Sequence, residues 1–426
     1  MDHRCHRLRF ILLCYYLVGL LPPGNALSSS SITQNLSSLQ KQAATIANSF
    51  QPSEFRPWLK NQHVQTIGGF LLKENCAYLP PGDFEAAQHI AAAIVDKIYR
   101  PKASTQFWHH RERIETLDGD WFHADSRWVS RVDAPTVLIF HGLESSSESM
   151  LTQEMAQAFN DIGMHAICLN FRGCSGTPNN KLSGYHLGFT DDLHQYVARL
   201  TKQNSATPLY LAGFSMGANV VLKALGEMGE QAALDYNIRG AAALCPPLDQ
   251  NRNAEFLARP GINRVIYTGN LLKQLKKRTQ RMWEILCDGD EDTDMFDFRR
   301  TMAAQTVTEF DDAFHRGVNG FEDCWDYYRQ TSCIHYLDKI CIPTLLLGAK
   351  DDPFFDPVVW PIEKTREHGG AAPIKMVRTE HGGHLGYSFH QVETAEDERL
   401  RKNGISPPSW AQCELSRFLK HVESHY

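Results

Sequence analysis

The stretch Pro208-Leu-Tyr-Leu-Ala-Gly213-Phe-Ser215-Met-Gly217-Ala-Asn-Val-Val constrains this chain more tightly than any other. An apolar, β-prone run from Leu209 to Ala212 enters Gly-x-Ser-x-Gly, and Val220, Val221, Leu222, Ala224 and Leu225 follow at helical spacing. The pattern predicts a strand, a sharp turn and a helix, with Ser215 at the turn. Glycines on either side remove side chains where strand and helix crowd, so the serine can be held in a strained backbone with its hydroxyl outward. The amide of Met216 then opens the helix and points toward the same spot. The plain alternative is a tight strand–helix turn without chemistry.

The rest of the chain supplies the sheet such an elbow needs. Arg111–Leu117 and Trp121–Trp128 read as a hairpin closed by Asp118-Gly119-Asp120. Thr136–Phe140, His165–Leu169, Ile238–Leu244, Pro343–Leu347 and Ile374–Val377 are apolar runs of the kind found in buried parallel strands. Helical patterns lie between them, at Asp192–Leu200 for example, and Trp410–His421 makes a terminal helix. Alternating strands and helices imply an α/β, mostly parallel, doubly wound sheet. From Asn251 to Leu337 the rhythm breaks into helices rich in leucine (Leu271, Leu272, Leu275), and a helical cap inserted over the strand ends is expected at about 251–337. Its acidic loop, Asp288–Asp294, lacks the glutamate offset of a calcium loop and reads as solvated.

Composition narrows the function classes. The chain has 426 residues, 42% hydrophobic and 22% charged, with a formal charge of −6. Lys276, Lys277 and Arg278 form a lone basic cluster, read as a solvated helix face, so nucleic acid is not an expected partner. Eleven cysteines without a Cys-x-x-Cys pair indicate no zinc or dithiol site; Cys168 and Cys341 read as small buried hydrophobes, and disulfides stay open. At the N-terminus Arg4, Arg7 and Arg9 precede an apolar run from Phe10 to Leu21 and small residues to Ala26, the form of a secretory signal. Leu27–Ser53 is serine-rich and free of Asp and Glu, the bias of a transit segment. Residues 1–53 are therefore expected to be a targeting leader and 54–426 the folded domain. The destination is the secretory pathway or a membrane anchor through the apolar run; the alternative is a plastid, through a two-part leader.

A nucleophilic serine at such an elbow needs a carboxylate and then a histidine later in the chain. Lys350-Asp351-Asp352-Pro353 follows the Leu345–Leu347 strand, and Asp351, three residues after Gly348, is the preferred acid, with Asp352 the alternative. In His381-Gly-Gly-His384, two glycines let His384 approach the serine as general base; His381 is the weaker candidate. The main-chain amides of Leu143 and Met216 are the expected oxyanion donors. His186 and Asp191 have the His-x4-Asp spacing of some acyltransferases, against a reading as helix cap and loop anchor. His63, in Asn61-Gln-His-Val-Gln-Thr66, reads as structural. None of this chemistry requires a metal or an organic cofactor.

With these motifs the chain resembles an α/β-hydrolase subfamily of bacterial YheT-like esterases, animal abhydrolase-domain proteins, yeast ethyl ester synthase/esterases and plant embryogenesis-associated proteins. The matching stretches run from Phe55 to the C-terminus. They include Trp58–Thr66, His141-Gly-Leu143, Asn170-Phe-Arg-Gly-Cys174, Tyr185-His-Leu-Gly188, Glu309-Phe-Asp-Asp312, Ala349–Phe354 and Gly382–Tyr387. The resemblance implies an α/β-hydrolase fold, Ser215, Asp351 and His384 as a triad, and small or lipid acyl esters as substrates. It also implies association with a membrane surface near the N-terminus. A serine hydrolase of carboxylic esters is the expected function. Acyl transfer to an alcohol and a non-catalytic binding protein of the same fold are the alternatives.

Overall fold

Among the described residues, eight strands form one sheet in the order β1-β2-β4-β3-β5-β6-β7-β8. They are β1 (His110–Glu115), β2 (Trp121–Arg127), β3 (Thr136–Phe140), β4 (His165–Leu169), β5 (Leu209–Phe214), β6 (Ile238–Leu244), β7 (Thr344–Ala349) and β8 (Ile374–Thr379). The computed structural model describes residues 29–57, 60–68, 106–260, 263–287, 295–387, 395–403 and 407–426. The apolar run of the leader, Trp58 and the acidic loop Asp288–Asp294 lie outside the described residues. β1 and β2 form the expected antiparallel hairpin, β2 meets β4 antiparallel, and every other pairing is parallel. The chain leaves β3 for β4 on one side and returns to β5 on the other. The carboxyl ends of β3 and β5 therefore flank the point where strand order reverses, the usual ligand crevice of such sheets.

The longer helices are α1 (Ser29–Ser49), α2 (Met150–Asp161), α3 (Asp191–Gln203), α4 (Met216–Met228), α5 (Gln250–Ala258), α6 (Gly269–Leu286), α7 (Val307–Asn319), α8 (Cys324–Thr331) and α9 (Trp410–Glu423). Parallel strands are buried on both faces, which is why β3 and β5 carry near-continuous apolar runs. Leu138, Phe140 and Leu211 pack on one face with Leu193 of α3 and Val221 of α4. Val137, Ile139 and Tyr210 pack on the other with Phe159 of α2 and Phe418 of α9. Each such side chain contributes roughly 1.5–3 kcal/mol by leaving water. The helices between β6 and β7 have a smaller apolar cluster of their own, where Trp283 stacks on Phe298 with ring centroids 3.9 Å apart. No helix among the described residues is long and apolar enough to cross a membrane.

Two stretches are placed by contacts that the local sequence does not show. The chain divides into Met1–Ser38 and Leu39–Tyr426, and residues 39–53, which the sequence assigned to the leader, group with the folded body. Ala43, Ala44, Ile46, Ala47 and Phe50 are buried, Phe50 meets Phe418 edge-on at 5.2 Å, and Ser53 Oγ accepts from Trp410 Nε1 at 2.8 Å. The alanine stripe is a helix face, hidden in the sequence by its serine-rich surroundings. The second is Arg172 of the Asn-Phe-Arg-Gly run. Its buried guanidinium bonds Asp192 at the start of α3 (2.7 and 3.0 Å) and Asp118 in the hairpin turn (2.8 and 3.1 Å). That run is a clamp between hairpin, sheet and helix.

Candidate active site

β5 ends at Phe214 and α4 begins at Met216, so Ser215 makes the whole turn. Its φ of 52° and ψ of −124° are a sparsely populated conformation for a residue with a Cβ, costing about 1–3 kcal/mol. Packing enforces it. A Cβ on Gly217 would lie 2.1 Å from the Phe140 carbonyl oxygen, so glycine alone lets the first turn of α4 press against the end of β3.

β8 ends at Thr379, and the following loop carries His384 back to the elbow. Its Nε2 lies 3.1 Å from Ser215 Oγ, and its Nδ1 lies 2.8 Å from Asp352 Oδ2. The Phe354 and Phe355 rings stand 4.5 and 5.0 Å from the imidazole. The loop is pinned by the segment that holds His63. Thr66 Oγ1 accepts from the His384 amide at 2.9 Å and donates to Gln62 O at 2.8 Å. Gly383, at φ 58°, leaves room for this: a Cβ there would lie 2.4 Å from Thr66 Oγ1. His63 itself bonds Tyr267 Oη through Nδ1 at 2.8 Å.

The carboxylate behind His384 is Asp352, and the preference for Asp351 is corrected. Asp351 accepts from the Gly383 amide at 2.9 Å and lies 3.4 Å from His381 Nδ1; burial raises its pKa. The physical reason is strand length. β7 stays paired with β8 through Ala349, two residues beyond the end read from sequence. The turn therefore starts later, and the second aspartate swings beneath the ring. Asp352 Oδ1 also accepts from the Phe354 amide at 2.9 Å. His381, engaged with Asp351, is 36% exposed at its side chain and forms no bond to Ser215 among the described residues.

The end of β3 supplies the opposite wall. Buried His141 donates from Nδ1 to Gly142 O (2.8 Å) and accepts at Nε2 from the Phe171 amide (3.1 Å). Burial lowers its pKa to about 4, so the ring stays neutral and both bonds persist. Gly142 C=O and Leu143 N–H belong to one planar peptide, so pinning the oxygen fixes the direction of the amide. Neither the Leu143 nor the Met216 amide has an acceptor among the described residues. Both residues line, with Ser215 and His384, a cavity of about 950 Å³. Leu257 of α5, Leu271 and Met282 of α6, and Phe310 and Phe314 of α7 complete it, so the inserted helices form its apolar wall.

The other expected residues stand outside the Ser215–His384–Asp352 contacts, although His186 lines the same cavity. The His186 ring sits among Phe189, His315, Phe321 and Tyr327 at 5.5–6.1 Å, and burial pushes its pKa well down. Asp191 is an exposed residue opening α3, and no hydrogen bond links it to His186 among the described residues. The acyltransferase spacing is therefore not assembled as a pair. Arg278, read as part of a solvated face, turns inward and lines the cavity. The described cysteines are free thiols, and Cys168 and Cys341 are buried as expected. Cys245, Asp352 and His384 bring potential metal ligands within 4.8 Å of one another. However, His384 and Asp352 already use both nitrogens and both oxygens in the bonds above, and burial pushes the Cys245 thiol up. Thr66 and Arg278 had no assigned part in the site, and their sole sequence signal was membership of a motif or charge cluster.

A family model described as the alpha/beta hydrolase fold matches residues 135–391, from just before β3 to just after the His384 loop. The chain belongs to the α/β-hydrolase fold family. The hydrolase is 29% identical over 303 residues to the putative esterase YheT of Escherichia coli, covering 70% of this chain and 84% of that one. It is 29% identical to medium-chain fatty acid ethyl ester synthase/esterase 2 of Saccharomyces cerevisiae, covering 61% of this chain and 59% of the relative. Mouse phospholipase ABHD3 is 27% identical, with 66% of each chain covered. For the last two, the hydrolase spans about three fifths to two thirds of the relative's length. These relatives carry the names of an esterase, an ester synthase/esterase and a phospholipase, in keeping with the resemblance to the YheT-like subfamily. Among solved structures, the Pyrococcus furiosus esterase Pf2001 matches at TM-score 0.44 and 14% identity, over 76% of this chain and 98% of that one.

Proposed function

We propose that the protein hydrolyses carboxylic esters of acyl lipids through an acyl-enzyme on Ser215, with His384 as base and Asp352 as its carboxylate partner. One observation carries the reading: the Ser215 hydroxyl meets His384 Nε2 at 3.1 Å, backed by Asp352, at the wall of a large apolar cavity. Ser215 Oγ attacks the ester carbon as its proton passes to His384 Nε2. The carbonyl oxygen becomes an oxyanion facing the Leu143 and Met216 amides, each such donor typically contributing about 3 kcal/mol. Collapse expels the alcohol, which takes the proton from His384. Water then attacks the acyl carbon, gives its proton to the same nitrogen, and Ser215 leaves with the proton restored. The apolar walls favour an acyl chain, and the relatives named as esterase, phospholipase and ester synthase support that class.

Wild type and Ser215→Ala, offered acyl esters of graded chain length, test this. Turnover by wild type and none by the variant is expected; equal turnover overturns it. Product analysis with added alcohol separates hydrolysis from transfer, and predominant new ester at modest alcohol would replace the hydrolase with an acyltransferase. Failure of a fluorophosphonate to label Ser215 would support the non-catalytic reading. The basic and apolar leader supports a separate element, targeting by the N-terminal unit. Residues 1–38 fused to a reporter should leave the cytosol, and a cytosolic reporter removes that element.

A further inference from the structure

The cavity wall beside Leu143 holds a charged group that the ester chemistry does not use. Arg278, on the α6 helix of the insert, reaches across to the loops after β3 and β4. Its Nη2 donates to the Arg172 carbonyl and its Nη1 lies 3.3 Å from Cys174 Sγ. The guanidinium rests on the Tyr185 ring, 4.0 Å from its centroid, and its Nε is 3.9 Å from Glu144 Oε1. Tyr185 in turn accepts the Glu144 amide at its hydroxyl, at 2.7 Å. Glu144, the residue after Leu143, sits at φ 51°. A non-glycine residue persists there only when its surroundings hold it. Tyr185 and Arg278 are the surroundings.

We propose that Arg278 is a positioning residue. From the inserted helix it clamps Tyr185 and Glu144, and through them holds the Leu143 amide on the oxyanion while α6 is docked. This rests on the ester-hydrolase reading, because it presumes that Leu143 is an oxyanion donor. Two kinds of contact reach the loop. The stacked guanidinium fixes the tyrosine ring, whose hydroxyl bonds the Glu144 amide, and its charge faces the half-buried Glu144 carboxylate, whose buried Oε1 has no hydrogen-bond partner. A short, strained segment between two pinned peptides, Gly142 held by His141 and Glu144 held by Tyr185, has little freedom except through its clamps. Loss of one clamp misdirects the amide without emptying the cavity. The signature is in kcat and not in KM, since the oxyanion exists only in the transition state.

The test compares Arg278→Gln, Arg278→Lys and Tyr185→Phe with Lys277→Gln, an exposed neighbour on α6, as control. Each variant is checked by thermal melting, then assayed for p-nitrophenyl ester turnover. Inhibition by an alkyl trifluoromethyl ketone, whose serine adduct carries the oxyanion, is measured beside binding of the product acid. Arg278→Gln and Tyr185→Phe should lower kcat by about ten- to a hundredfold with KM within about threefold. The ketone's Ki should rise by the same factor as kcat falls, and product-acid binding should hold. Arg278→Lys should recover part of the loss, and the Gln/Phe double variant should be no worse than the worse single. Unchanged kcat in Arg278→Gln, or a KM rise with ketone affinity intact, overturns the proposal. Tyr185→Phe keeps it testable if Arg278→Gln does not fold. Wild type that turns over no ester and takes no ketone overturns the hydrolase reading instead.

Discussion

His384 Nδ1 lies 2.8 Å from Asp352 Oδ2, while Asp351, one residue earlier, faces the Gly383 amide and His381. Two adjacent carboxylates thus have separate partners, one the His384 imidazole and one the loop that carries it. Asp352→Asn should lower kcat by about 10⁴, as expected when the imidazole loses the partner that fixes its tautomer and stabilises its cation. Asp351→Asn keeps the Gly383 contact and should cost less than about tenfold. Parallel ester assays on the two variants decide it, and the reverse ranking would restore Asp351 as the acid.

Thr66 reaches the site from far along the chain to bond the His384 amide at 2.9 Å. Thr66→Val removes the acceptor and leaves a partly buried donor unpaired, at a cost of about 1 kcal/mol. If that cost falls on placement of the base, kcat drops about tenfold or more while the melting temperature falls by only a few degrees. Unchanged kcat with the same small loss of stability would make Thr66 a packing residue.

Legibility followed local pattern. β3, β4, β5 and β6 were readable because a buried parallel strand must be a short apolar run, and the Ser215 turn because its crowding leaves only glycine at Gly217. His384 meets Ser215 as its place in the loop after a strand suggested. What sequence hid is what depends on distant partners. Asp351 versus Asp352 turns on where β7 stops pairing with β8, Thr66 matters through a loop 318 positions away, and Arg278 looked like one more surface cation. The α1 stripe of Ala43, Ala44 and Ala47 went unread because alanine carries too weak an apolar signal to show through serine-rich flanks.

Gly217 tests whether the sharp turn is a steric necessity. A methyl at that position meets the Phe140 backbone oxygen at 2.1 Å, and backbone in a central strand cannot yield cheaply. Gly217→Ala should destabilise by about 3 kcal/mol or fail to fold, the upper range for overpacking. Gly119→Ala, whose added carbon meets nothing within 4 Å, should cost only the strain of its positive φ, about 1 kcal/mol. Denaturant melts of both would refute the steric account if the two costs were equal.

Asp311 makes the stability depend on pH. It is buried in the insert, accepts from Tyr328 Oη at 2.7 Å and faces His315 Nε2 at 3.5 Å. Burial pushes its carboxyl up to about 7 and holds His315 down at about 3, so no cation neutralises it. Between the unfolded value of 3.8 and about 7, the native state keeps a proton that the unfolded chain has released. Stability from this group therefore falls as pH rises through that window. Asp311→Asn lacks the effect, so its stability relative to wild type should climb from pH 4 to pH 7.5 in denaturant melts. Parallel curves would contradict the assignment.

On the proposed ester-hydrolase mechanism, Ser215 carries the acyl group during turnover. Intact-mass spectrometry of the protein quenched in acid within milliseconds of mixing with a p-nitrophenyl acyl ester tests it most directly. One adduct equal to the acyl mass is expected, mapped to the peptide containing Ser215, decaying as free acid appears and absent from Ser215→Ala. Ester turnover with no adduct on that peptide, or an adduct that survives in Ser215→Ala, would contradict it.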